Sequence, residues 1–157
     1  METRRYHKGS EWRKWDLHVH TSCSVLNNGF GTDWDLYVRT LFNKALEQGI
    51  AVIGITDYFT IDGYKRLKNE YLAKTSKLEE VFHKELQEDP EYITKIRSIL
   101  ILPNIEFRLG NVVIAKKDGG KPRKLNYHVV FSDELSIEDI EEHFLYELEF
   151  TYEGNPG

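Results

Sequence analysis

The segment IAVIGI, from Ile50 to Ile55, is an almost unbroken apolar run. Such a run is typical of a strand that is buried on both faces, as in a parallel sheet. Upstream of it, apolar residues recur at helical spacing between Trp34 and Leu46, where Asp33 is in position to cap the helix and Gly49 to end it. Earlier still, the last residues of Trp12–His20 alternate between polar and apolar and predict a first strand. Strand, helix and strand in this order indicate a βαβ unit with parallel strands.

The rest of the chain predicts further helices and strands. A polar segment with an intermittent apolar stripe favours helix from Asp62 to Arg97, with a break at Asp89-Pro90. Three later regions have strand character: Ser98–Leu102 with Ile105–Leu109 as its continuation past Pro103, Asn111–Ala115, and Leu125–Phe131. A turn at Asp118-Gly119-Gly120 joins the last two, and Ser136 caps a final helix. The expected fold class is α/β, with mostly parallel strands and helices outside.

Composition narrows the class of protein. The 157 residues suffice for one compact domain and are short for two. The net charge of −5 does not favour a nucleic-acid binder, although basic residues collect between Lys116 and Lys124. No apolar run approaches the length of a membrane span, and Met1–Lys8 is charged, unlike a secretory signal. The single cysteine, Cys23, rules out an internal disulfide framework. We therefore expect a cytoplasmic protein.

The segment Asp16-Leu17-His18-Val19-His20 carries the strongest chemical signal. Side chains two apart on a strand point the same way, so Asp16, His18 and His20 share one face. Two imidazoles at the carboxyl end of a parallel strand are suited to hold a metal ion, and the aspartate is placed to fix an imidazole tautomer. The alternative is a pair of surface histidines on an edge strand.

Three further residues are candidate metal ligands because each lies at or near the end of a buried strand. Asp57 follows the apolar run, and its alternative role is to cap the next helix. Glu106 is flanked by apolar residues, so its charge needs a partner, which is either a metal ion or Arg108 two positions along. His128 lies inside an apolar strand, where a lone histidine is commonly a hydrogen-bonded core residue.

Taken in order, these motifs resemble the PHP (polymerase and histidinol phosphatase) superfamily. The resemblance rests on Asp16–Thr21 followed by Ser24, on Gly54–Asp57, on Ile105-Glu106 and on His128, and it covers nearly the whole chain. More narrowly, the chain is similar to the N-terminal PHP segment of TrlF-type AAA-like and SMC-like ATPases. The traits that point there are the entry Gly9–Trp12, the stretch Asp57–Thr60 and the stretch Leu125–Ser132.

The resemblance implies a distorted (β/α)7 barrel that holds up to three metal ions and hydrolyses phosphoesters. The family ligand positions match at His18, His20, Glu106 and His128. Tyr58 stands where the family usually has a histidine, Asn27 or Asn28 where a carboxylate is usual, and no late Asp-x-His motif precedes Gly157. These departures predict fewer than three ions, and the mixed set of histidine and carboxylate ligands favours Zn, Mn or Fe. Residues 1–157 are expected to form one PHP-like domain that is a fragment of a longer chain, and the missing ligands predict that it is a poor catalyst alone.

The predicted function is therefore metal-dependent hydrolysis of nucleic-acid or nucleotide phosphoesters, as part of a larger ATPase-linked protein. Arg108, Lys121 and Arg123 are the expected substrate-binding residues, because arginine and lysine bind phosphate. The expected partners are the C-terminal ATPase region of the same protein and nucleic acid, with no membrane. A second copy of the chain is a further candidate partner, since a truncated barrel would expose apolar strand edges. The alternative function is that of a catalytically degenerate PHP module with a structural or regulatory role.

Overall fold

The computed structural model describes residues 12–25, 29, 31–114 and 122–149, with the backbone alone at 110–114 and 122–123. Its four strands are β1 (Lys14–His20), β2 (Ile50–Tyr58), β3 (Leu100–Ile114) and β4 (Pro122–Val130). The α-helices are α1 (Trp34–Glu47), α2 (Asp62–Arg66), α3 (Thr75–Val81), α4 (His83–Glu88), α5 (Tyr92–Ser98) and α6 (Ile137–Ile140). π-helical turns at Leu67–Leu72 and Glu141–Leu145 extend α2 and α6. None of the helices described is long and apolar enough to cross a membrane.

The strands form one curled sheet in the order β1-β2-β3-β4. β1 pairs with β2 and β2 with β3 in parallel, whereas β3 and β4 are antiparallel. The prediction of an α/β fold with mostly parallel strands and an opening βαβ unit is confirmed. The predicted continuation of the Ser98–Leu102 strand into Ile105–Leu109 is confirmed, because β3 runs without a break from Leu100. The separate strand predicted at Asn111–Ala115 is wrong as far as Ile114, since these residues belong to the same β3. Pro103 does not end this strand, since its carbonyl still accepts a hydrogen bond from Phe131 N at 2.9 Å.

Helix α1 begins and ends as its sequence predicts. The Asp33 side chain accepts a hydrogen bond from the N–H of Leu36 at 2.9 Å, which satisfies one of the free donors of the first turn. After the helix, Gly49 adopts a positive φ of 66° that a side chain would disfavour. Val38 and Phe42 are fully buried against the sheet, so the spacing of apolar residues does place one face of α1 in the core.

The polar segment after β2 forms several short helices. The predicted break at Asp89-Pro90 is confirmed, since α4 ends at Glu88 and α5 begins at Tyr92. Its apolar stripe is buried in the same core as α1, and the buried members include Leu67, Tyr71, Leu78 and Phe82.

The two faces of the sheet have opposite character. Ile53, Ile55 and Ile105 belong to the core that the helices cover, and each is at most 1% exposed. The alternate residues Thr56, Asn104 and Glu106 are equally buried but polar, and they lie on the other face. The sheet therefore separates an apolar, helix-covered side from a polar side, and the candidate site lies on the polar side.

Candidate metal centre

The strand register brings the candidate ligands to one edge of the polar face. Tyr58 at the end of β2 is opposite Glu106 of β3, and Glu106 is opposite His128 of β4. On the other side of β2, His20 at the end of β1 is paired with Thr56. Four strands thus deliver their side chains to a single place, at the carboxyl ends of the two parallel strands β1 and β2.

Three ligand atoms form a nearly equilateral triangle. His18 Nε2 and His20 Nε2 are 3.0 Å apart. Glu106 Oε2 lies 3.1 Å from the first of these nitrogens and 3.2 Å from the second. Neighbouring ligands of an ion with bonds of about 2.1 Å are expected to be about 3 Å apart. These separations therefore fit one divalent ion in contact with all three atoms.

His128 lies beside this triangle at a greater distance. Its Nε2 is 3.7 Å from Glu106 Oε1, the carboxylate oxygen that does not belong to the triangle. Its ring packs edge-to-face on the ring of His18, with the centroids 4.5 Å apart. One ligand atom each from His18, Glu106 and His128 lies within 4.8 Å of the other two. His128 is therefore close enough to be a candidate ligand as well.

Burial within the cluster is graded. The Glu106 side chain is 0% exposed and His20 is 11% exposed, whereas His18 is 52% exposed and His128 30%. Burial lowers the pKa of His20, and this effect outweighs the opposing attraction of Glu106. A neutral imidazole keeps a lone pair for a metal ion. The triangle is therefore anchored at its buried side and open to ligands at His18.

The second oxygen of Glu106 is held by neutral groups. Asn126 donates a hydrogen bond from Nδ2 to Glu106 Oε1 and also lies 3.3 Å from the Tyr58 hydroxyl. The Tyr58 ring stacks on His20 at 5.2 Å between centroids. Burial and a hydrogen bond to Glu106 raise the pKa of Tyr58, so the phenol stays protonated. These contacts fix the carboxylate so that Oε2 faces the two histidines.

A local irregularity in β1 positions the two histidines. The β1–β2 register shifts between Asp16 and Val19, and Leu17 approaches β2 closely. A Cβ at Gly54 would lie only 2.6 Å from the Leu17 carbonyl oxygen, so glycine is required there. Asn104 Nδ2 donates to this oxygen at 2.7 Å, and Thr56 Oγ1 lies 3.1 Å from it. The polar face thus holds the backbone immediately before His18 directly.

The structure places Asp57 outside the cluster. It faces the helices, since its strand partner is Ile105 rather than Glu106. Its carboxylate accepts hydrogen bonds from Thr21 N, Thr21 Oγ1 and the N–H of Gly63 in α2. Burial raises the pKa of Asp57 to about 6, against the effect of these hydrogen bonds. The bond from Gly63 satisfies one free donor in the first turn of α2, whose N-cap position is held by Ile61.

The other residues predicted from sequence have mixed outcomes. The Asp16 carboxylate accepts from the backbone N–H of His18 at 3.3 Å, so it does not orient the imidazole as expected. Arg108 is exposed. Among the described residues, the partners of Glu106 are three histidines, Asn126 and Tyr58. The alternative of a Glu106–Arg108 ion pair is therefore not found in this part of the chain. Lys121 lies outside the described residues, as does the side chain of Arg123.

Sequence reasoning missed Asn104 and Asn126. Each precedes a predicted ligand by two positions on a strand, Asn104 before Glu106 and Asn126 before His128. The alternation of side chains along a strand therefore puts each asparagine on the ligand face. The alternation is visible in the sequence, but an asparagine amide is uncharged and is not a typical metal ligand, so neither residue was predicted.

In comparisons with known proteins, no family model, curated protein or solved structure matches the chain.

Proposed function

We propose that this chain provides the metal centre of a metal-dependent phosphoesterase, in which His18, His20 and Glu106 hold a divalent ion. The observation that carries the proposal is the triangle of Nε2, Nε2 and Oε2 atoms with sides of 3.0, 3.1 and 3.2 Å. A chance cluster of surface histidines would not share one fully buried carboxylate oxygen. A buried carboxylate needs a compensating partner, and a metal ion between the three atoms would be one.

The donor set limits the choice of ion. Two imidazoles and one carboxylate suit Zn, Mn or Fe better than Mg, which prefers oxygen ligands. Three protein ligands also leave coordination positions open, as catalytic metal sites require. When bound, such an ion lowers the pKa of a coordinated water and polarises phosphoryl oxygens.

The side chains of the protein supply the remaining functions. His18 is half exposed, so a substrate can reach the open side of the triangle. Arg108 is exposed and lies two residues beyond Glu106 on the same strand, where its guanidinium can bind a phosphate in a bidentate manner. Asn126 and Tyr58 hold the carboxylate in place and exclude water from its second oxygen.

The finer parts of the proposal rest on the resemblance to the PHP superfamily. They are a (β/α)7 barrel, phosphoesters of nucleic acids or nucleotides as substrates, and a larger ATPase-linked protein as context. The basic residues Lys121 and Arg123 would then contact the phosphate backbone. Tyr58 favours fewer ions than three, because a protonated phenol is a weaker ligand than imidazole.

Hydrolysis of bis(p-nitrophenyl) phosphate and of a single-stranded oligonucleotide, with Mn, Zn or Fe added, tests the proposal. We expect metal-dependent release of product that is abolished by a chelator and by Glu106→Gln. The matched control is His143→Ala, which removes an exposed imidazole far along the chain from the cluster and should change nothing. Metal binding without any turnover would favour the alternative of a structural or regulatory module. Absence of metal binding would overturn the proposed metal centre and leave only that alternative.

A further inference from the structure

The two histidines of the triangle are held to different degrees. The side chain of His18 is 52% exposed, whereas that of His20 is 11% exposed. The His20 ring stacks on Tyr58, and its backbone carbonyl accepts a hydrogen bond from the Tyr37 hydroxyl at 3.0 Å. Its Nδ1, the ring nitrogen that does not belong to the triangle, lies 3.3 Å from Ser24 Oγ. His20 is therefore the more constrained of the two ligands.

The contact with Ser24 depends on how the chain turns after β1. Ser24 is 1% exposed, and its N–H donates to the Thr21 carbonyl at 3.2 Å, which closes a turn directly after His20. The Ser24 hydroxyl oxygen also accepts from the N–H of Tyr58 at 3.3 Å. Because a hydroxyl can both donate and accept, Ser24 can orient the His20 ring whichever ring nitrogen carries the proton. The turn from Thr21 to Ser24 therefore has to keep its shape if His20 is to keep its place.

Asp57 holds this turn from the helix-covered face of the sheet. Its Oδ1 accepts from the N–H of Thr21, the residue that follows His20, at 3.0 Å, and its Oδ2 accepts from the Thr21 hydroxyl at 2.8 Å. The same hydroxyl oxygen accepts from the N–H of Cys23 at 3.0 Å. Asp57 and Thr21 are at most 1% exposed, so bulk solvent does not compete for these hydrogen bonds. Hydrogen bonds to a carboxylate are also stronger than those to a neutral acceptor, so Asp57 fixes the start of the turn firmly.

The start of α2 accounts for only part of what Asp57 does. Among the described residues, α2 contributes one hydrogen bond to this carboxylate, from the N–H of Gly63 at 3.2 Å. The hydrogen bonds from Thr21 are shorter, and they come from the backbone and the side chain of one residue beside a ligand. A carboxylate that served α2 alone would not need Thr21.

We propose that Asp57 is a positioning residue of the metal centre, which acts through Thr21 to hold His20 where it binds the ion. The inference rests on the proposed function, since it assigns Asp57 an effect on the ion held by the triangle. Groups that orient a metal-ligating histidine contribute about 10- to 100-fold to metal affinity. Asp57 thus influences the ion without contacting it.

Two substitutions of Thr21 and one of Asp57 test the proposal by calorimetric titration of the folded protein with Zn²⁺. Thr21→Val keeps the shape of the side chain but cannot donate to Asp57, so affinity should fall by about 10- to 100-fold. Thr21→Ser keeps the hydroxyl and should bind Zn²⁺ about as tightly as the unsubstituted protein. In Asp57→Asn the amino group has to face the N–H of either Thr21 or Gly63, so affinity should fall as it does in Thr21→Val.

A control variant and a second ion separate positioning from stability. Glu85→Gln weakens the contacts of Glu85 with Arg39 and Asn43 between α4 and α1, so it should lower stability and leave Zn²⁺ affinity unchanged. The visible absorption of bound Co²⁺ reports the geometry of its ligands. We expect an altered spectrum in Thr21→Val and Asp57→Asn and an unaltered one in Thr21→Ser and Glu85→Gln, a pattern that a general loss of stability would not produce.

The possible results separate this inference from the proposed function. If the unsubstituted protein binds Zn²⁺ and both Thr21→Val and Asp57→Asn bind it equally tightly, the positioning role is overturned and the metal centre stands. A loss of affinity in Glu85→Gln as large as that in Thr21→Val would also overturn the positioning role, since stability alone would then set the affinity. Absence of Zn²⁺ binding by the unsubstituted protein would overturn the proposed metal centre and this inference with it.

Discussion

The two faces of β3 differ at adjacent residues, and the difference separates stability from function. Ile105 and Glu106 are both 0% exposed, yet Ile105 packs in the helix-covered core and Glu106 faces three histidines and Asn126. Burial of an apolar side chain stabilises the fold, whereas burial of a carboxylate costs free energy unless its partners repay it. The polar face therefore needs compensating partners, and under the proposed function a metal ion is one of them. Substitutions on the two faces should therefore differ in their effect on stability.

The largest expected effect is the difference in unfolding free energy between substitutions at Ile105 and at Glu106. Ile105→Ala should lower the free energy of unfolding by about 2–5 kcal/mol, because it leaves a cavity in the core. Glu106→Gln is nearly isosteric and removes a buried charge, so the metal-free protein should change by about 1 kcal/mol or less in either direction. Urea denaturation of both variants in the presence of a chelator measures the difference. Equal destabilisation by the two substitutions would contradict the assignment of the faces.

The next effect concerns Gly63, where the helix side and the end of β2 meet. A methyl group there would overlap Asp57 Oδ2 and Thr21 Oγ1, and both of these side chains are buried and hydrogen-bonded to each other. Gly63→Ala should therefore cost about 1–3 kcal/mol or more. Gly29→Ala is the matched control, since nothing lies within 4 Å of the position of its Cβ. Thermal unfolding of both variants is the measurement, and a Gly63→Ala protein as stable as the control would show that the contact is not tight.

Asp57 gives a pH-dependent effect on the helix side. Its pKa in the folded protein is about 6, above the ordinary value of 3.8, so the folded state binds more protons than the unfolded state between these pH values. Stability contributed by the protonated carboxyl is thus fully present below pH 4 and is lost as the pH rises through 6. Relative to Asp57→Asn, the unsubstituted protein should gain about 1–3 kcal/mol between pH 7 and pH 4. A constant difference, or one of opposite sign, would contradict the assignment.

The smallest expected effect is that of the Tyr58 hydroxyl on the affinity for Zn²⁺. Tyr58→Phe removes the hydroxyl near Glu106 and Asn126 but keeps the ring that stacks on His20. Affinity for Zn²⁺ should fall by less than about tenfold, since a peripheral hydrogen bond contributes about 1 kcal/mol. Tyr58→Ala, which also removes the stacking, should weaken binding further. Calorimetric titration compares the two, and a Phe variant as impaired as the Ala variant would assign the hydroxyl a larger role.

The helix side was predictable from sequence to a greater extent than the polar side. The IAVIGI run and the spacing from Trp34 to Leu46 fix β2, α1 and their mutual packing, because periodic burial is a local property of the sequence. His18, His20 and Glu106 were also identifiable as candidates, since histidine and glutamate are typical metal ligands, although Glu106 lies in the middle of β3 rather than near a strand end. The short helices between Asp62 and Ser98 were visible only as one helical region, because their boundaries depend on tertiary packing.

Three features of the site required coordinates. The face on which Asp57 lies depends on the register of β2 with β3, which the residue sequence does not reveal. The shift in β1 near Leu17 depends on the absence of a side chain at Gly54 on the neighbouring strand. The contact between Asn104 and His128 joins residues 24 positions apart through an amide that carries no charge signal.

Zn²⁺ titration by calorimetry tests directly whether the triangle holds a metal ion. The proteins compared are the unsubstituted protein, His18→Ala, His20→Ala and Glu106→Gln. Each variant removes one corner of the triangle, and His143→Ala serves as the control that removes an imidazole elsewhere. We expect about one ion per chain for the unsubstituted protein and the control, and binding weaker by at least about 100-fold for each of the three variants. Binding that survives in all three variants would contradict this expectation, because the ion would then be held by other residues.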